Sequence, residues 1–293
     1  MTLWRSASKG VIDLKRVINF INNNILKIFL IIPTLFILFF LVYPLLSLLV
    51  QSFYSEEGLT LEYFQKYFST SLYITVLKNT FTLSLIVAVV CILLGYPIAY
   101  AMTKASPTGR IIINTVIQIM YWTSLLVKTY AWIVMMQKQG VINYFLEAIG
   151  IIDQPVQLVH TYFGVVCGMS YILLPYMIFS LTPVMQQIDK NLLSASENLG
   201  AGSVRTFFKV FLPLTKPGII AGFSIVFLNS LGYYIVPALL GSEKNTMMSQ
   251  LIQTQISKVL DWNFAAAISV ILIIVTIIVM MITQKISKVK GMK

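Results

Sequence analysis

Long apolar runs separated by short polar connectors dominate the chain. A helix rises about 1.5 Å per residue, so crossing about 30 Å of hydrocarbon takes about 20 mostly apolar residues. Six segments meet that length: Ile28–Val50, Thr80–Met102, Ile111–Met136, Thr161–Met185, Gly218–Leu240 and Phe264–Thr283. The third carries Lys128 and the fifth Asn229, which makes them the least lipid-like. The pattern predicts an all-α integral membrane protein with six spans. It divides the chain into an N-terminal tail 1–27, a membrane domain 28–283 that includes a long loop 186–217, and a C-terminal tail 284–293. The first apolar run begins only after Lys27 and has no small-residue cleavage site, so it is expected to stay as a membrane helix.

Two connectors carry their own pattern. Leu59 to Tyr73 alternates aromatic and polar residues, as a short interfacial helix does, and Gln139 to Gln157 reads the same way. Such a segment either packs on the helix ends or touches a solute directly. No internal repeat and no low-complexity tract is visible.

Charge sets an orientation. One side receives Arg5, Lys9, Lys15, Arg16, Lys27, Lys104, Arg110, Lys190, Arg205, Lys209, Lys216, Lys285, Lys288, Lys290 and Lys293, against only Asp13, Asp189 and Glu197. The other side receives Lys66, Lys78, Lys128, Lys138, Lys244 and Lys258, offset by Glu56, Glu57, Glu62, Glu147, Asp153, Glu243 and Asp261. Cytoplasmic loops carry the Lys and Arg excess, so the first side, with both termini, is expected to face the cytoplasm.

Composition agrees: 58% of the residues are hydrophobic and 11% charged, with a mean hydropathy of +0.85. Soluble domains carry roughly a quarter charged residues. The net charge of +11 does not point to nucleic acid, because the basic residues sit in short loops between spans and act as topology signals. Cys91 and Cys167 lie inside apolar spans and behave as small hydrophobic residues. No phosphate loop, HExxH, CxxC or Gly-x-Ser-x-Gly elbow occurs, so neither ATP binding by that loop nor enzyme chemistry is indicated. The single histidine, His160, falls at a helix end, where a structural or interfacial role is expected and a metal would need more ligands.

The loop 186–217 is not an ordinary connector. Asp189 to Leu199 can form a short helix with Asp189 capping its start, and Gly200 or Gly202 can end it. A second helix from Ser203 sets Val204, Phe207, Phe208 and Phe211 largely on one face, and Pro213 and Pro217 then break the chain. Two short helices with exposed leucine and phenylalanine suit a protein socket. The same basic amphipathic pattern also suits an anionic membrane surface, through Arg205, Lys209 and Lys216.

This stretch resembles the EAA loop of bacterial ABC-importer permeases of the MetI-like class. That pattern runs Glu-Ala-Ala, three residues, Gly, nine residues, an aliphatic residue, one residue, Leu-Pro. Ala195, Gly200, Val210, Leu212 and Pro213 fall on it, while Ser194 stands at the Glu position and Ser196 at the second Ala. Glu197, one turn on, is a candidate to replace the missing acid. Further stretches are similar to the spermidine/putrescine branch of the class: Trp122 to Trp132, Gly140 to Asn143, Leu174 to Met177, Leu212 to Gly222, Val236 to Gly241, and Asp261-Trp262.

The resemblance implies a multi-pass permease of the bacterial cytoplasmic membrane, one of two membrane subunits, with no cofactor of its own. It implies two ATP-binding partner subunits that use ATP and Mg and dock on the 186–217 loop, and an extracytoplasmic substrate-binding protein. The implied cargo is a small solute, a polyamine first and an opine, aminophosphonate or ferric ion otherwise. A secondary transporter is the rival, and it should show inverted repeats and buried acids coupled to ions; a structural scaffold is a further one.

Candidates for the solute path follow from chemistry. An ammonium is held by carboxylates and aromatic faces, which Tyr121, Trp122, Tyr130, Trp132, Tyr171, Tyr176, Asp261 and Trp262 could supply, although aromatics at span ends also form the interfacial belt. Lys128 marks either a path or a side chain snorkelling to the interface. Asn229, Tyr233 and Tyr234 suit a polar path or hydrogen bonds between helices.

Overall fold

In the computed structural model, residues 25, 27, 29–55 and 58–289 are described. The tail charges Arg5, Lys9, Asp13, Lys15, Arg16, Lys290 and Lys293, and the loop acids Glu56 and Glu57, lie outside them. The chain forms two units, 1–60 and 61–293.

The first unit is one apolar helix and a turn of sheet. Helix α1 (Phe29–Ser52) is 24 residues long and passes through a π-helical turn at Leu38–Val42. Its side chains point outward; among the described residues of this unit only Ser52 is buried. Strands β1 (Tyr54–Ser55) and β2 (Gly58–Leu59) pair antiparallel after it.

The second unit is a helical bundle. In chain order it contains α2 (Glu62–Ser69), α3 (Ser71–Lys104), α4 (Pro107–Trp122), α5 (Leu125–Met136), α6 (Val141–Ala148), α7 (Tyr162–Gln186), α8 (Lys190–Asn198), α9 (Ser203–Leu214), α10 (Lys216–Leu231), α11 (Ile235–Leu240), α12 (Met248–Thr254) and α13 (Trp262–Val289). Four helices of the chain, α1, α3, α7 and α13, are long and apolar enough to cross a membrane alone. Two bent pairs, α4 with α5 and α9 with α10, bring the number to six if each pair crosses once.

Two expected spans therefore need correction. Ile111–Met136 is not one helix but α4 and α5, and α4 meets the segment Leu125–Ala148, which holds α5 and α6, at a 98° bend. Thr123 and Ser124 between them take extended backbone, with ψ of 138° and 137°. Gly218–Leu240 is likewise interrupted, because α10 ends at Leu231 and α11 begins at Ile235. Gly232 and two successive tyrosines give that stretch weak helix propensity. Hydropathy sums over a window and is blind to a break of two or three residues.

The centre of the bundle is α3, α7 and α10. Cys91 Sγ donates to Ser170 O at 3.5 Å and Thr182 Oγ1 reaches Met102 Sδ at 3.7 Å, so α3 and α7 run parallel. Phe81 meets Phe227 and Tyr96 meets Thr215, so α10 runs antiparallel to α3. Without a hydrophobic driving force in lipid, such helices associate through close packing of small residues. Met177 on α7, fully buried, fills the space between two glycines. A Cβ on Gly95 of α3 would stand 2.9 Å from Met177 Cγ, and one on Gly222 of α10 would stand 2.5 Å from Met177 Sδ.

The outer connectors become helices, as their pattern predicts. In α2, Tyr67 is fully buried and burial pushes its phenol up to about 12. In α6, buried Asn143 donates to Gln137 O and Val156 O and accepts from Val156 N–H, all within 3.0 Å, which staples the following loop to the helix.

Met177 is flexible enough to move away from one new methyl group but not from two on opposite sides. G95A and G222A each lower the thermal stability of the purified protein slightly. The double variant loses more than the sum by about 1 kcal/mol, as expected for sites sharing one neighbour, and a double-mutant cycle on the melting midpoint checks this.

Candidate functional site

The loop 186–217 folds as its residues dictate. Asp189 caps α8 by accepting from Asn191 N–H at 2.9 Å. At the other end Gly200 N–H donates to Glu197 O and Ala201 N–H to Ser196 O, the paired bonds of a Schellman motif. The residue closing that motif must be left-handed, and Gly200 has φ +84°. A Cβ there would meet nothing within 4 Å, so conformation and not space requires glycine in the chain by itself.

Helix α9 departs from expectation. Val204, Phe207, Phe208 and Phe211 do not share one exposed face, because the helix takes a π-helical turn at Phe207–Phe211. Pro213 supplies no N–H to the turn before it, which favours that widening. Phe211 is buried and Phe207 half-buried, while Val204 and Phe208 remain exposed.

The inward rings grip α3. Phe207 lies 6.0 Å from Tyr96 and 5.5 Å from Tyr100, and Phe211 lies 5.1 Å from Tyr100, ring centre to ring centre. The Tyr96 hydroxyl hydrogen-bonds Thr215 Oγ1 at 3.1 Å, at the 58° bend between α9 and α10. Helix α8 is tied to the same assembly by a hydrogen bond of 3.1 Å between Ser196 Oγ and Thr206 Oγ1. Sequence reading missed Tyr96, Tyr100 and Thr206. The signal was present in Tyr96 and Tyr100, four residues apart, opposite Phe207 and Phe211, also four apart.

The motif positions divide accordingly. Ser194, Ala195, Glu197 and Gly200 are exposed, Ser196 turns inward, and Val210, Leu212 and Pro213 are half-buried. Leu192, Leu199, Val204 and Phe208 add an exposed apolar surface, Leu199 being 89% accessible. An apolar face of this kind, rimmed by polar side chains, marks an interaction surface.

The aromatic candidates fall into groups. Tyr121, at the end of α4, stands edge-on to Tyr176 of α7 at 5.4 Å and to Phe179 at 5.6 Å. Tyr233, which follows α10, is half-buried against the same core as Tyr176. Trp132 of α5 packs edge-on against Tyr171 of α7 at 5.6 Å. Trp122, Tyr130, Tyr234 and Trp262 are exposed on the isolated chain, as is Asn229, whose amide donates to Ile225 O of its own helix.

The charged candidates are both engaged. Lys128 does not snorkel: it is 7% exposed, and its ammonium donates to Met120 O at 2.9 Å. Asp261 caps α13 by accepting from Phe264 N–H, and its other oxygen lies 3.5 Å from Lys66 Nζ. Lys66 in turn sits 4.3 Å from the centre of the Phe264 ring. Lys66 and Phe264 were not singled out by sequence, since the pair is 198 residues apart. His160 has φ +61° and meets Gly241 O at 3.3 Å through Nδ1, a structural contact. Among the described residues no group of His, Cys, Asp or Glu could hold a metal ion.

The backbone at Gly200 gives a direct check. G200A forces a left-handed alanine at a cost of about 1 to 2 kcal/mol, whereas G202A, at φ −63° in equally open space, strains no backbone and loses only the modest N-cap preference for glycine. Hydrogen exchange at the amides of Gly200 and Ala201 should accelerate in the first variant and not in the second.

Comparison with known proteins fits this geometry. A family model described as the inner membrane component of binding-protein-dependent transport systems matches residues 91–288. The chain is 32% identical over 280 residues to the spermidine/putrescine transport system permease protein PotB of Haemophilus influenzae, covering 93% of this chain and 98% of that one. It is 34% identical over 222 residues to PotB of Escherichia coli K12, covering 76% and 81%. A bacterial ABC transporter that imports the acidic polysaccharide alginate has a chain of the same fold, with a TM-score of 0.71 at 20% identity, covering 94% of this chain and 99% of that one. This protein, multi-pass and resident in the inner membrane, belongs to the family of inner-membrane permease components of binding-protein-dependent ABC transport systems.

Proposed function

We propose that this chain is the permease subunit of an ABC importer for polyamines of the spermidine and putrescine type, and that it forms half of the solute path beside a second permease subunit. The observation that carries the polyamine assignment is likeness to PotB along nearly the whole chain. The exposed face of α8 and α9 receives an ATP-binding subunit, one of two in the complex, and those subunits use the ATP and Mg. This chain binds neither. Both termini and the loop 186–217 lie in the cytoplasm, in accord with the Lys and Arg excess on that side, and an extracytoplasmic binding protein delivers the solute to the opposite face.

The path works without covalent chemistry. Substrate passes when packed helices rock between outward and inward arrangements, driven by the ATPases through α8. The tie from α8 through Ser196 and Thr206 to α9, and from Phe207 and Phe211 to α3, supports transmission of that motion as one body. Among the described residues no Asp or Glu is buried, and Asp261 is already paired with Lys66. A polyamine therefore meets phenol faces and backbone carbonyls in the path, which attract a cation weakly, and tight selection is left to the binding protein. The same lack of a buried acid weighs against an ion-coupled secondary transporter.

Uptake tests the reading. A strain lacking its own polyamine importers, supplied with this chain and the genes beside its own, should accumulate labelled spermidine or putrescine in an ATP-dependent way. Competition by unlabelled polyamine, and not by an opine, an aminophosphonate or ferric ion, is expected. Accumulation of one of the latter would replace the substrate, and accumulation that persists without an ATPase partner would overturn the reading itself.

A further inference from the structure

The least expected feature of the bundle is a buried ammonium at a helix break. In a continuous helix Met120 O would accept from Ser124 N–H, four residues on. The extended conformation of Thr123 and Ser124 turns that N–H away. Thr123 satisfies Ile119 O twice, through its N–H at 3.0 Å and its Oγ1 at 2.6 Å. Met120 O is left for Lys128, which reaches back eight residues from the first turn of α5 and donates at 2.9 Å. The backbone N–H of Lys128 meanwhile donates to Ser124 O and opens α5. One residue thus starts the second helix and ends the first.

Electrostatics favour this arrangement. The C-terminus of α4 carries the negative end of its dipole, and a cation there is stabilised. A free carbonyl buried in the bundle would be costly, and so would an unpaired ammonium; each removes the penalty of the other. The next residue after Met120 is Tyr121, whose ring contacts Tyr176. Tyr121 stands in the last turn of α4, so a reorientation of that helix end would carry its ring away from Tyr176.

We propose that Lys128 is a positioning residue of the solute path, its ammonium holding the α4–α5 segment in the bent form that seats Tyr121 against Tyr176. Without the charge, Met120 O seeks the Ser124 N–H again and the segment straightens toward one helix. The link to transport rests on the permease reading above, whereas the effect on the bend does not, so the two can fail separately.

Spin labels at Ile112 on α4 and Val134 on α5, both exposed, report the bend in the assembled complex, with Cys91 and Cys167 replaced by alanine. A sharp bend, of the order of the 98° between α4 and the segment Leu125–Ala148, keeps the two backbone sites about 20 Å apart, and one continuous helix would separate them by about 33 Å. K128M, which keeps the length of the side chain and removes its charge, should shift the distance distribution outward and lower polyamine uptake about tenfold at equal membrane content. K128R should retain the short distance and restore uptake to within about threefold of the original. If K128M fails to insert, K128Q serves in its place. An unchanged distance in the neutral variant overturns the proposal, and so does full uptake despite a lengthened one. Absence of polyamine uptake by the unsubstituted complex would instead count against the substrate reading and leave the distance test to decide the role of Lys128.

Discussion

Backbone groups in hydrocarbon must find partners within the protein, and this constraint governs where the bundle can bend. Each break in a membrane helix frees carbonyls that water cannot reach. At the α4–α5 break they go to Thr123 and to the Lys128 ammonium. At the α9–α10 bend, Thr215 Oγ1 donates to Leu212 O and joins the Tyr96 hydroxyl. After α10, Ser249 Oγ donates to Tyr233 O at 2.5 Å. The three bends are built, each with a polar side chain assigned to it.

The rigid part of the molecule stands between those bends. α3, α7 and α10 approach closely because Gly95 and Gly222 leave room for Met177. The same α3 that packs at the centre carries Tyr96 and Tyr100 near its C-terminal end, where they hold Phe207 and Phe211 of α9. A push on α8 thus has a continuous packed route to the middle of the bundle. Ser196 and Thr206 matter in this route because the chain lacks the acidic residue usual at Ser194. Their hydrogen bond joins the two short helices within the chain, while Ser194 and Glu197 remain exposed.

Much of this was legible in the sequence, because apolar length and charge placement act over 20 residues at a time. The spans at α1, α7 and α13 were found within a few residues, and so were the Asp189 cap and the Gly200 terminus, which depend on local chemistry alone. The breaks at Thr123 and Gly232 were not, since a window average hides two residues of extended backbone. The one-sided aromatic face of α9 was also misjudged: a π-helical turn shifts the phase of every residue after it. Lys128 shows the limit most clearly. Its presence in a span flagged it, but its partner is a backbone carbonyl, and no side-chain pattern announces a carbonyl. Asp261 was flagged for its charge, and only the fold brings Lys66 to it.

An ATPase that drives this permease through the exposed face of α8 and α9 must lie within reach of Leu199. A photo-crosslinking residue at Leu199, compared with one at Leu93 on the outward face of α3, tests it in the native membrane. A crosslink from position 199 to an ATP-binding subunit and only lipid adducts from position 93 are expected. Lipid adducts alone from position 199, with the partner subunits present, would contradict it.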